Sequence, residues 1–130
     1  MDNETYWAAT EAEEALLGAI LIESSNGSKD AITATSKVVS INDFTDYHRH
    51  GALRSRLYYA MLACKNPPHQ INVARQLNIM GILKSGDCYQ LAMLVATCPN
   101  CFLYEEYAKA IREYSEQRQG KHIVYTKGAE

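Results

Sequence analysis

The sequence predicts an all-α fold, a single compact bundle of about six helices. Three observations predict it: apolar residues recur at helical spacing in segment after segment, no stretch alternates with the period of two that a half-buried strand needs, and Gly or Pro interrupts the chain at helix-length intervals. At 130 residues the chain is long enough for one core and too short for two sizeable ones.

Each element has a local cause. Thr10 followed by Glu13 fits a capping box, so the first helix is expected to begin near Glu11 and to place Leu16, Leu17, Ile20 and Leu21 on one buried face. Gly18 lies at its centre, where glycine costs about 1 kcal/mol against alanine. Its presence there fits a packing residue that lets another helix approach the backbone closely. The stretch from Ser24 to Gly27 ends this helix. A second runs from about Asp30 to Val39, weakened by small and β-branched residues. The segment from Ile41 to Phe44 breaks it, with Asn42 or Asp43 able to cap the next element.

From about Gly51 to Cys64 the residues Leu53, Leu57, Ala60, Met61 and Cys64 repeat at helical spacing, and Pro67-Pro68 forbids continuation. Tyr58 and Tyr59 point in different directions there, one to the core and one to the rim. Asn72 is expected to cap a short fourth helix closed by Gly81. Cys88, Leu91, Val95 and Cys98 share a face of a fifth, which stops before Pro99. Asn100 is expected to cap the last helix, expected to be the longest, where Leu103, Tyr107, Ile111, Tyr114 and Arg118 recur every three to four residues and Gly120 marks the end. The helical domain thus covers 1–120, with a core of about 11–118 to which Phe44 and Leu57 belong, and 121–130 is expected to fray.

The formal charge of −2 excludes a wholly basic nucleic-acid binder, but the charge is uneven. Six acids and no base lie between Met1 and Asn26, and six bases and no acid between Tyr47 and Gly86. Mutual neutralisation of an acidic first helix and a basic middle is the plainer account. The sharper one is a phosphate-facing stripe through Arg49, Arg54, Arg56 and Arg75, which interleaves with tyrosines and would bind single-stranded nucleic acid in a salt-sensitive way. No apolar run is long enough to span a bilayer, and the N-terminus lacks the basic start and apolar stretch of a secretion signal. A cytoplasmic chain without a membrane partner is expected.

Motifs for chemistry are sparse. Cys98-Pro-Asn-Cys101 could lower a thiolate pKa at a helix N-terminus or supply half a zinc site, but it lacks both a strand–helix–strand context and a second closely spaced pair. The segment Asp46 to Gly51 brings two histidines near an aspartate, with no further converging ligand in view. No phosphate-cradling loop, dinucleotide fingerprint or nucleophile elbow occurs. No catalytic residue, metal or cofactor is therefore assigned.

The order of the pieces is more specific than any one of them. Glu11, Ala12, Glu13, Leu17 and Gly18, then Asp43-Phe44, then Gly81 and Leu83, then Tyr107, Ala108, Ile111 and Arg118 match the pattern of the N-terminal domain of DnaB-type replicative DNA helicases, which the chain resembles over about 11–118. Arg54 stands where the family has histidine, Gln70 where it has aspartate, and Ser85-Gly86 where it has paired glycines. The segment Thr45 to Leu53 looks like a short insertion.

The resemblance implies a non-catalytic assembly domain of DNA replication, one that builds the collar of a hexameric ring and helps recruit primase. Helicase subunits or primase are the implied partners. A chain that reaches only the start of the family's helical hairpin is expected to be either a piece of an ATP-dependent DNA helicase or a free-standing relative. Its final helix is expected to pack through Leu103 and Tyr107 and to offer Ile111 and Tyr114 to a second copy, forming a weak symmetric homodimer. Nucleic-acid binding is expected to be weak or absent.

Overall fold

The computed structural model describes residues 2–120. It contains six helices: α1 (Asn3–Ser24), α2 (Asp30–Ser36), α3 (Arg54–Ala63), α4 (Gln70–Ile79), α5 (Asp87–Thr97) and α6 (Tyr104–Arg118). Two 3₁₀ turns, Ile41–Asp43 and Cys101–Leu103, lead out of the α2 segment and into α6. No strand occurs among the described residues, and the expected tail lies outside them.

α1 is the central post. It packs against α6, α5, α2 and α3, and every residue from Ala15 to Leu21 is buried. A helix apolar all round is a core helix, not an amphipathic surface one. The single stripe expected from its periodicity is therefore one side of a segment that is covered all round. Around it, Phe44, Leu57, Tyr58, Met61, Leu77, Leu91 and Ile111 complete the core. The Phe44 and Tyr58 rings meet at 5.0 Å, and the Tyr58 hydroxyl donates to the Val39 carbonyl at 2.7 Å. Burial raises the Tyr58 phenol, as expected for a ring surrounded by apolar groups. Tyr59 points outward, so the two neighbouring tyrosines divide between core and rim as their spacing predicts.

The Gly18 expectation is met in detail. A Cβ built there would collide with the Leu94 carbonyl oxygen and meet the Cys98 Cβ at 3.0 Å. The C-terminal half of α5 thus crosses the backbone of α1 at van der Waals distance, and only hydrogen fits between them.

Several boundaries differ from those the local signals predict. α1 starts two turns before Glu11, because the Asp2 carboxylate accepts from the Thr5 amide at 2.7 Å and caps the helix there. Thr10 instead donates its hydroxyl to the Tyr6 carbonyl at 3.0 Å within the helix, and Glu13 is fully buried. A Ser/Thr-x-x-Glu pattern carries no information about which end of a longer helix it occupies. α2 stops at Ser36, where Lys37 and Val38 turn the chain. Asn72 lies inside α4, whose cap is His69, with Nδ1 accepting from the Asn72 amide at 3.4 Å. Gly81 does close α4, with φ of +73°. The buried side of α5 is Asp87, Leu91 and Leu94, while Cys88 is exposed and Val95 and Cys98 are half-buried.

Candidate functional site

Three carboxylates organise the polar side of the fold. Glu13, in α1, accepts from the Arg54 Nε at 2.9 Å and from the Thr45 amide and hydroxyl, each at 2.9 Å. Burial raises the Glu13 carboxyl, against the pull of these donors. Asp43, in the first 3₁₀ turn, accepts from Arg112 Nη1 at 2.8 Å, the Ser115 hydroxyl at 2.7 Å and the Ser40 amide at 2.8 Å. Its carbonyl also accepts from Arg118. Burial alone would raise this carboxyl, but the Ser115, Ser40 and Arg112 donors hold it below its ordinary value. Asp87, the first residue of α5, takes both guanidinium nitrogens of Arg56 at 2.6 and 2.9 Å and the Lys84 amide at 2.8 Å. It too is held low, the Arg56 and Lys84 donors outweighing burial.

These pairs take apart the expected basic stripe. Arg54 and Arg56 are committed to Glu13 and Asp87, so neither is free to meet phosphate. Arg49 is exposed and lies over the Tyr6 ring at 5.3 Å, and Arg75 is exposed on α4. The four do not form one exposed line of cations. The Arg54–Glu13 pair is the neutralisation of an acidic first helix by a basic middle that the charge pattern allows.

The cysteine pair does not resemble a redox site. The Cys98 thiol donates to the Ala15 carbonyl at 3.6 Å, and burial raises it; burial and Glu23 raise Cys101. A nucleophilic thiol needs the opposite shift. Among the described residues no three His, Cys, Asp or Glu side chains converge as a metal site. Asp46, a candidate beside the histidines, instead caps α3: its two oxygens accept from the Leu53, Arg54 and Ser55 amides at 3.0, 2.8 and 3.0 Å. Seven residues separate it from Leu53, so sequence spacing gave no cue to that cap.

The final helix is also reordered. Ile111 is 1% exposed and belongs to the core, whereas Leu103 is 42% exposed and its neighbour Phe102 78%. The expectation that Ile111 is free and Leu103 packed is reversed, because α6 lies along α1 and α2, while the lead-in turn rests on α1 with its Phe102 and Leu103 side chains turned outward. Tyr107 is half-buried and donates its hydroxyl to the Asn100 carbonyl at 3.1 Å, and Tyr114 is half-buried. Arg118 faces inward to Asp43 and is not an open contact residue.

With α2, α3, α5 and α6 packed on α1 and Asp43-Phe44 locked to the last of them, the arrangement can be compared with known proteins. The family model described as the DnaB-like helicase N terminal domain matches residues 7–113. The chain belongs to this family. Among solved structures it is similar to the N-terminal domain of DnaB helicase from Mycobacterium tuberculosis, with 25% sequence identity and a TM-score of 0.68 over 92% of this chain and 84% of that one. A search of curated proteins finds no match.

The DnaB-like domain is a helicase-associated assembly domain and carries no catalysis of its own. The matched residues include Glu13, Gly18, Asp43, Phe44 and Gly81, which gives the motifs a physical meaning in this chain. Glu13 joins α1 to α3, Gly18 admits α5, and Asp43-Phe44 pins the 3₁₀ turn to α6 while filling the core. No helix among the described residues is long and apolar enough to cross a membrane.

Proposed function

We propose that this domain serves DNA replication as a non-catalytic recruitment and assembly module, contacting helicase subunits or primase in the manner of a ring collar. The family match from α1 into α6 carries this reading. The side chains that hold the domain together are turned inward: Glu13, Asp43 and Asp87 are each satisfied within the fold and line no reactive cleft. On the lead-in turn of α6 the domain exposes two large apolar side chains, Phe102 and Leu103, beside the charged outer face of the helix. A weak homodimer through the final helix is accordingly assigned to this turn, and Tyr114, three turns farther along α6, is not part of that surface.

The test is titration of the purified chain with the DnaB-type helicase and the primase of the same genome, followed by sedimentation velocity. A complex with one of them that is lost in Phe102→Asp supports the reading. Absence of a complex with both overturns it. The purified chain is also expected to hydrolyse no ATP, because phosphoryl transfer depends on a phosphate-positioning loop and this sequence has none.

A further inference from the structure

An open groove of about 420 Å³ lies between the loop after Phe44, α3 and the α4–α5 turn, and its walls include Tyr47, Tyr59, Arg56 and Lys84. Its size falls within the range that holds a small ligand. Two tyrosines beside two cations set its walls apart from the groove lined by Lys65 and Arg75, which holds no aromatic ring. The lining carries two cations and no carboxylate. Of the nearby acids, Asp46 is buried as the cap of α3, and Asp87 is shared between Arg56, which it binds directly, and Lys84, whose charge it feels. Arg56 is thus taken up by Asp87, and among the described residues the Lys84 ammonium on the groove wall makes no direct ion pair.

The two tyrosines have no role in the core. Tyr47 is 42% and Tyr59 48% exposed, while the adjacent Tyr58 takes the buried position on α3. Large flat rings beside an ammonium group match what single-stranded nucleic acid presents, a base to stack and a phosphate to pair. An acidic peptide would use the cation but leave the ring faces unused.

We propose that the groove bounded by Tyr47, Tyr59 and Lys84 is a stacking site for single-stranded nucleic acid, with the rings receiving a base and Lys84 a backbone phosphate. The site is not the arginine stripe, since Arg54 is paired with Glu13 and Arg56, on the groove wall, with Asp87. It stands or falls independently of the assembly reading.

The test is fluorescence anisotropy of a short labelled oligothymidylate titrated with the whole chain across a salt series. Binding is expected at low salt and is expected to fall steeply as salt rises. Tyr47→Ala and Tyr59→Ala should each weaken it by roughly tenfold, the loss of one base stack. Tyr59→Phe, which keeps the ring, should bind as the unsubstituted chain does, and Tyr59→Leu, which keeps only the bulk, should fall with Tyr59→Ala. Lys84→Ala should flatten the log–log salt slope by about 0.7, the value of one phosphate contact on a single strand. Arg75→Ala, on α4 away from the groove, should change nothing. Both tyrosines are exposed, so unchanged far-ultraviolet circular dichroism is expected for every variant. The proposal is overturned by absence of binding at low salt, by tyrosine variants that bind normally, or by polyglutamate displacing the oligonucleotide as well as unlabelled oligothymidylate does.

Discussion

At Gly18, two physical preferences oppose each other. Alanine would favour the helix by about 1 kcal/mol, yet its Cβ would enter the space of the Leu94 carbonyl, a backbone atom that cannot rotate away. Overpacking of this kind costs roughly 1–3 kcal/mol, so Gly18→Ala is expected to lower the urea midpoint despite its better propensity. A higher midpoint would mean that α5 can slide. Ile111 and Leu103 pose a second contrast at one end of the chain. Ile111→Asp places an unpaired carboxylate among apolar side chains and is expected to unfold the domain, as seen by loss of circular dichroism. Leu103→Asp, at an exposed site, is expected to leave the fold intact. Equal stability of the two variants would refute this order of burial.

At the scale of elements, the helices are joined by carboxylates as much as by apolar packing. Asp43 connects the first 3₁₀ turn to α6 through Arg112 and Ser115, and Asp87 connects α5 to α3 through Arg56. Asp43→Ala strands those donors and is expected to cost roughly 2–4 kcal/mol, measured by urea denaturation. The same two groups set an acid limit. Both titrate below the ordinary value of 3.8, so their contribution is complete above that pH and is lost as pH falls through the lowered values. Glu13, raised by burial from 4.5, has the opposite sign: its contribution is present below 4.5 and is lost as pH rises through its raised value. Stability is therefore expected to fall on acidification below pH 3.8, and Asp87→Asn to flatten that fall. An unchanged slope in the variant would show that Asp87 does not supply it.

For the whole molecule, the question is which surface is left for a partner once the core and the ion pairs are complete. α6 is covered along its middle by α1 and α2, so the proposed self-association falls to its lead-in turn. Sedimentation equilibrium at high concentration is expected to show a weak dimer that Leu103→Asp or Phe102→Asp dissociates. A monomer throughout, or a dimer indifferent to both substitutions, would remove the turn as a self-association surface; recruitment is tested separately by the effect of Phe102→Asp on the helicase or primase complex.

The six helices were legible in the sequence because their signals are local: 3.6-residue periodicity, Pro67-Pro68, Gly81, Pro99 and Gly120 act on the residues beside them. The inward and outward turns of Tyr58 and Tyr59 arise from the same period. The order of short motifs also sufficed to indicate the family. The partners of the charges were not legible. Glu13 meets Arg54 across 41 residues and Asp43 meets Ser115 across 72, and no local pattern specifies a pairing at such separation. The tertiary structure alone therefore decided that Arg54 and Arg56 are paired within the fold, that Glu13 is a buried anchor and not a cap, and that Ile111 lies on the covered face of α6 while the Leu103 side chain is exposed. Periodicity determines which residues share a face; what that face meets depends on how the helices pack around α1.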